Sequence, residues 1–260
     1  MTAYERLCAA RDQNRPTAIE YIRRMFGESF LELHGDRRYG DDKAVLAGIA
    51  SLNGMPLTVI ALEKGRNVKE RVARNFGSAH PEGYRKALRL MKQAEKFQRP
   101  VLCLIDTSGA YCGLGAEERG QGQAIAENLM EMMTLRTPVL ALLIGEGGSG
   151  GALALAVADQ VWMMENAVYS VISPEGCASI LWKDAKKIKE AAECLKLTAE
   201  DMKQMQVIER IIPEEGLSFS EVYTYLEELL WKTLGEKASQ NPDQLLAARY
   251  ERFRKYGRIE

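Results

Sequence analysis

Histidine is nearly absent from this chain: 260 residues hold two, His34 and His80, far apart in sequence. That gives a histidine-based metal site poor support. The five cysteines, at positions 8, 103, 112, 177 and 194, form no CxxC pair and no metal-ligand spacing. An odd, scattered set of this kind reads as reduced thiols in a cytoplasmic protein. No apolar run approaches the roughly 18 residues of a membrane span, and the opening MTAYERLCAARDQNRP lacks the apolar core of a signal peptide. Charge of one sign is not in excess either. Thirty-five basic and 36 acidic residues leave a net charge of −1, which excludes a global attraction to nucleic acid or to an anionic membrane.

What is present describes an ordinary globular protein, 46% hydrophobic and 27% charged. At this length roughly 70–75% of the unfolded surface can be buried, enough for one well-packed core. No low-complexity tract or linker divides the chain. Residues 1–260 therefore read as a single domain, with a helical lead-in over about 1–34 and closing helices over about 217–260.

Helical spacing places Ile19, Ile22 and Phe26 on one side of Thr17–Phe26. Val45–Leu52 and Met55–Leu62 flank Asn53-Gly54, a strong hairpin signal. A polar, basic stretch (65–77) follows, then a long helix over Pro81–Phe97 with proline where a missing N–H costs little. Val101–Ile105 is a buried strand that runs into Asp106 and a Gly-rich loop. Ala116–Leu135 reads as a helix, and Val139–Ile144 as the next strand. Strands follow at Val161–Met164 and Val168–Ile172, with a short strand or turn at Val207–Ile212. Helices follow at Pro174–Trp182, Asp184–Leu195, Thr198–Met205, Phe219–Leu234 and Pro242–Tyr256. Alternation of strands and helices predicts an α/β fold with parallel pairings, and the hairpin makes the sheet mixed.

The densest signal lies between Gly145 and Gly151, where five glycines fall within seven residues after a strand and before a helix. Such a turn aims several backbone N–H groups at one point, favoured for negative charge by the helix dipole. It suits a bound phosphate or an oxyanion formed during a reaction. Gly145-x-Gly147-x-x-Gly150 also matches a dinucleotide fingerprint, with Glu165 about twenty residues on as the ribose acid. A nicotinamide-dependent oxidoreductase is thus one reading of this loop, and a turn required only for strand–helix packing is another. A Walker loop is excluded, because no Lys-Ser/Thr follows the glycines. The earlier loop, Thr107–Gly120, belongs to a second strand–glycine–helix unit. Parallel neighbours would bring both loops to one sheet edge.

Longer motifs go further. Asp106-Thr-Ser-Gly-Ala-Tyr111, Gly115-Ala-Glu-Glu-Arg-Gly-Gln121, Gly145–Ala152 and Tyr169-Ser-Val-Ile-Ser-Pro-Glu-Gly-Cys-Ala-Ser-Ile-Leu-Trp182 stand in that order. With Gly35-Asp-Arg, Asp41-Asp-Lys, Asn75-Phe-Gly and Pro81–Met91, the stretch from about Arg15 to Pro213 closely resembles the bacterial acetyl-CoA carboxylase carboxyltransferase alpha subunits. The family's usual Asp-Thr-Pro-Gly-Ala-Tyr-Pro-Gly here carries Ser108 and Cys112 in place of both prolines, which leaves the loop less restricted in φ.

The resemblance implies a crotonase-like spiral of repeated β-β-α units with surrounding helices. It implies transfer of a carboxyl group from carboxybiotin to acetyl-CoA, giving malonyl-CoA in the first committed step of fatty acid synthesis. A separate biotin carboxyl carrier protein would present the biotin, a homologous beta subunit would hold the thioester in an alpha2beta2 heterotetramer, and biotin carboxylase would belong to the wider complex. Any zinc would sit on the beta subunit. By this likeness Gly150, Gly151 and Ala152 donate N–H groups to the ureido oxygen, while Gly147 and Gly148 shape the turn. Gly109, Ala110, Tyr111, Gly113 and Gly115 form the opposite wall of the carboxybiotin pocket. A biotin-dependent acyl-CoA decarboxylase subunit is the nearest alternative; a non-catalytic assembly subunit is a more distant one. No Met-Lys-Met biotinylation site appears, since Met91-Lys92 and Met202-Lys203 each precede glutamine.

Other features have simpler readings. Lys64, Arg66, Lys69, Arg71 and Arg74 read as a solvated basic face, with attraction for CoA phosphates or for an acidic carrier as the alternative, and Arg85, Lys86, Arg89 and Lys92 read as helix surface. Glu117 and Glu118 suit a helix start, and Cys112 reads as an unactivated thiol. The apolar faces of Ser173–Trp182, Phe219–Leu234 and Pro242–Tyr256 are candidates for burial against a partner.

Overall fold

Two short helices open the chain, each started by a threonine. In the computed structural model, which describes residues 1–257, α1 (Ala3–Ala10) begins with a reciprocal cap. The Thr2 hydroxyl accepts the Glu5 amide, and the Glu5 carboxylate accepts the Thr2 amide. α2 (Ala18–Phe26) begins where the Glu20 carboxylate accepts the Thr17 amide, and it buries Tyr21, Ile22, Met25 and Phe26.

A two-residue strand, β1 (Leu31–Glu32), leads to the hairpin of β2 (Val45–Leu52) and β3 (Met55–Leu62). Its strand limits are those the alternation predicts, closed by Asn53 and Gly54, both at positive φ. α3 (Val68–Ala73) and α4 (Pro81–Lys96) carry the chain to β4 (Val101–Thr107), parallel to β3. α5 (Leu114–Glu118) and α6 (Gln121–Thr134) return it to β5 (Val139–Gly148), parallel to β4. Then follow α7 (Ser149–Leu153), β6 (Gln160–Met164), β7 (Val168–Ser170), α8 (Pro174–Leu181), α9 (Ile188–Leu195), α10 (Ala199–Gln204), β8 (Arg210–Ile212), α11 (Phe219–Ala238) and α12 (Pro242–Arg254). The sheet runs β1-β2-β3-β4-β5-β6-β8, with β7 pairing with β5 off this path.

β5 is the element that positions everything else. Leu140–Leu143 pair with β6, but Glu146–Gly148 pair with β7. Between these halves the register with β4 slips: Ile105 faces Leu143, and the next pair is Thr107 with Gly147. The strand therefore leaves one neighbour for another just before its glycines. Its flanks are apolar on both faces, and one core cluster joins the inner residues of β2–β6 to α2, α4, α6 and α11.

The structure differs from the sequence expectations at several places. The helix expected over Ala116–Leu135 is two helices, because Gly120 takes a left-handed conformation between them. The helix after the glycine loop ends at Leu153 and continues only as turns. α1 falls within the expected helical lead-in, whereas α3 and β1 are too short to show a clear period in the sequence. Lys86 is fully buried rather than solvated: its ammonium meets Asp41 Oδ1 at 2.6 Å and the Asp42 carbonyl at 2.9 Å. Arg85 is likewise turned inward, onto Asp36 at 2.8 Å. The apolar faces of the two C-terminal helices are used within the chain. α11 buries Val222, Tyr223, Leu226, Leu230 and Leu234, and α12 inserts Leu245 and Arg249.

Candidate active site

Gly148 and Gly151 are glycines because another backbone occupies the space of their missing side chains. A Cβ on Gly148 would lie 2.1 Å from the Ser108 carbonyl oxygen, and one on Gly151 would lie 2.5 Å from the Ala110 amide nitrogen. The loop after β4 and the loop after β5 thus meet backbone to backbone, at the sheet edge where parallel strands end. Between the two glycines, Ser149 is held at φ +49°, a conformation that costs a non-glycine residue about 1–3 kcal/mol and is concentrated at functional sites.

α7 has Gly148 as its cap, so the amides of Ser149, Gly150 and Gly151 precede the helical hydrogen-bond ladder. Ala152, the fourth residue of α7, is fully buried. Gly151 is buried, Gly150 half-buried and Ser149 exposed.

Beside these amides lies a cavity of about 520 Å³, lined by Ser149, Gly150, Leu153, Tyr169, Met202 and Met205 among others. Its walls are mainly apolar side chains. Burial pushes the Tyr169 phenol up to about 12, so it stays protonated and neutral. On the other side of the loop, Arg11, Lys64, Arg71, Phe76, Thr107, Ser108 and Glu146 line a smaller cavity of about 240 Å³.

Charged side chains hold the loops. The Asp106 carboxylate accepts the Glu146 amide at 3.0 Å and pairs with Lys64 at 2.7 Å. Arg15 donates to the Ile144 carbonyl at 2.7 Å and pairs with Glu214 at 2.8 Å. Arg11 bridges Glu146 and Glu175, at 2.6 Å each. Burial opposes its charge, but the two carboxylates outweigh that and raise its pKa.

The family model described as acetyl co-enzyme A carboxylase carboxyltransferase-like matches residues 1–257. The acetyl-coenzyme A carboxylase carboxyl transferase subunit alpha of Ruminiclostridium cellulolyticum is 61% identical over 259 residues, covering 100% of this chain and 99% of that one. The chain belongs to the acetyl-CoA carboxylase carboxyltransferase alpha-subunit family. Two solved structures share its fold. Transcarboxylase 12S aligns with a TM-score of 0.69 and 16% identity over 84% of this chain and 41% of its own. The Pseudomonas aeruginosa geranyl-CoA carboxylase beta subunit aligns with a TM-score of 0.68 and 18% identity over 93% and 46%. The chain spans under half the length of either.

The fold of this carboxyltransferase subunit is the crotonase-like one that the resemblance implies. It is an alpha-type carboxyl transferase subunit of that family. Among the described residues, no group of three or more His, Cys, Asp or Glu side chains could hold a metal ion, and no helix is long and apolar enough to cross a membrane.

The other predicted site residues divide into two groups. Gly109 and Ala110 lie at the contact with Gly148 and Gly151, and Gly147 is wedged against Leu143 and Tyr169. Tyr111, Gly113 and Gly115 do not line the larger cavity. The Tyr111 ring is stacked on His80 at 4.2 Å, Gly113 packs on that ring, and Gly115 faces Arg119. Glu165 is not a free ribose acid: it accepts the Glu214 and Glu215 amides and pairs with Arg6. The basic stretch is only partly a solvated face, since Lys64 is committed to Asp106 and Arg66 to Glu20. Sequence reasoning missed Asp106, Arg15 and Arg11 as parts of the site. For Asp106 a signal was present, a carboxylate at the end of an apolar strand; Arg11 and Arg15 gave none, because they act across more than 120 residues.

Proposed function

We propose that this chain supplies the biotin side of the carboxyltransferase site, with the amides of Gly150 and Gly151 as the donors that stabilise developing negative charge. Carboxybiotin supplies the carboxyl group when a biotin carboxyl carrier protein presents it. The Leu153, Tyr169, Met202 and Met205 walls offer the apolar surface that a fused, largely nonpolar ring requires. The glycine contact offers fixed N–H dipoles where charge on the departing ring's oxygen must be met. Such donors need no reorganisation during reaction, and each is worth about 10²–10³ in rate. Tyr169 bounds the ring without contributing charge.

The observation that carries this reading is the meeting of two glycine loops at a place where no side chain fits. A neutral ring system suits the apolar cavity better than a dinucleotide does, and Glu165, which would bind a ribose, is engaged elsewhere. The thioester of acetyl-CoA is held by the beta subunit, in an alpha2beta2 heterotetramer that works in the cytoplasm beside biotin carboxylase. Malonyl-CoA decarboxylation with free biotin as acceptor tests the proposal. In the complex with beta, Gly151→Val should lower kcat by about 10²-fold, the scale of one lost donor. Undiminished turnover by that variant would refute the assignment. Comparison of acyl-CoA substrates separates acetyl-CoA carboxylation from a decarboxylase role.

A further inference from the structure

We infer that Asp106 is a positioning residue for carboxyl transfer, its carboxylate fixing the bend in β5 from which the donor loop springs. The inference rests on the proposed role of Gly150 and Gly151.

Where β5 leaves β6 for β7, β4 advances two residues, from Ile105 to Thr107, while β5 advances four, from Leu143 to Gly147. The ladder is interrupted there, and the buried backbone of Ile144–Glu146 must find other partners. It finds two side chains from distant parts of the chain. Arg15 Nε donates to the Ile144 carbonyl at 2.7 Å, and Asp106 Oδ1 accepts the Glu146 amide at 3.0 Å. Gly145, between them, lies against the same carboxylate: a Cβ there would be 2.5 Å from Oδ1 and 2.9 Å from Oδ2. The backbone at the bend therefore follows the outline of the Asp106 side chain. Lys64, 2.7 Å from Oδ2, neutralises a carboxylate that is only 1% exposed and that would be costly to bury alone.

Glu146 is three residues before Ser149. With its neighbours Gly147 and Gly148 it pairs with Val168–Ser170, so a shift at the bend passes into the loop through a short, rigid ladder. Asp106 lines the smaller cavity and not the larger one. Its effect on the reaction is exerted through the position of the amides, and misplacement of reacting groups by 1 Å can cost about 10²-fold in rate.

The test uses the chain co-expressed with its beta subunit and follows malonyl-CoA decarboxylation with free biotin. Asp106→Ala removes the acceptor, whereas Asp106→Asn keeps an oxygen in place for the Glu146 amide. Gly145→Ala pushes the carboxylate off that amide without touching Asp106. Asp106→Ala and Gly145→Ala should each lower kcat by about tenfold or more, with KM for malonyl-CoA and for free biotin within about twofold. Asp106→Asn should recover most of the loss. The double variant should be no worse than the more damaging single one, because both act on one hydrogen bond. If Asp106→Ala does not assemble, Gly145→Ala and Asp106→Asn carry the test. Full kcat in Gly145→Ala, a loss confined to KM, or no recovery with asparagine would overturn the inference. Gly151→Val is run alongside. Were it fully active, the donor assignment itself would fail. A damaged Gly151→Val beside an active Asp106→Ala would remove only the role of Asp106.

Discussion

At the scale of the residue, the site is made of backbone, and its side chains work by staying out of the way. Gly148 shows this most sharply. Gly148→Ala would place a methyl group 2.1 Å from the Ser108 carbonyl oxygen, inside any real contact distance, and the two loops would have to separate. We expect loss of turnover on the scale of a lost donor, about 10²-fold, with the complex still formed, as assayed by decarboxylation and by sizing. Cys112 is exposed in the first loop and makes no hydrogen bond among the described residues, and Cys112→Ser should change the rate little. Charge at single residues matters more for stability. Burial of Asp36 opposes its ionisation, but the amides of Tyr39, Arg38 and Gly40 and the Arg85 guanidinium outweigh it, holding the carboxyl at about 2 against an ordinary 3.8. A depressed folded-state pKa contributes stability that is full above pH ~4 and lost as the pH falls toward ~2, about 2 kcal/mol in all. Asp36→Asn should therefore lower the denaturation midpoint at pH 7, and its stability should fall less steeply between pH 4 and pH 2 than that of the wild type. Equal pH dependence in the two proteins would contradict this account.

Among elements, strands and long helices were legible because their apolar residues repeat with a clean period. The β2–β3 hairpin is a case in point: Asn53-Gly54 names the turn, and the alternation to either side sets the register that the structure shows. α4 could be placed, but not its cations. Lys86 sits on the inner face and is tolerated because Asp41 and the Asp42 carbonyl lie opposite, in a loop more than forty residues earlier. The fork in β5 could not be read at all, since its causes, Arg15 and Asp106, come from other parts of the chain. The glycine pattern pointed to the close contact of the two loops, yet not to how short α7 is. α12 is held in the same long-range way. Arg249 is fully buried and donates to both Asp159 oxygens, at 2.9 and 2.8 Å, and to the carbonyls of Met132, Leu135 and Thr137. Arg249→Ala leaves Asp159 buried and uncompensated, and should destabilise the protein by about 3–5 kcal/mol. Chemical denaturation would measure it, and a cost below about 1 kcal/mol, the scale of an exposed pair, would mean α12 is held by its apolar contacts instead.

For the whole molecule, the proposed division of labour requires a surface for the partner subunit. Val171, three residues before α8, is exposed at 78%, and Ile180 and Leu181 at the end of α8 at 66% and 61%; Val171 also lines the larger cavity. Large apolar side chains left this exposed are what a partner surface would cover. Replacing Ile180 and Leu181 together with aspartate should weaken association with the beta subunit, seen by light scattering, while the isolated chain keeps its fold. Unaltered association would move the interface elsewhere. The account as a whole requires that this chain hold one half of a reaction centre. The most direct measurement is malonyl-CoA decarboxylation with free biotin by the purified alpha chain, before and after addition of the beta subunit. The account predicts no turnover from the alpha chain alone and full activity once beta is added at stoichiometric concentration. Turnover of malonyl-CoA by the alpha chain unaided would contradict it.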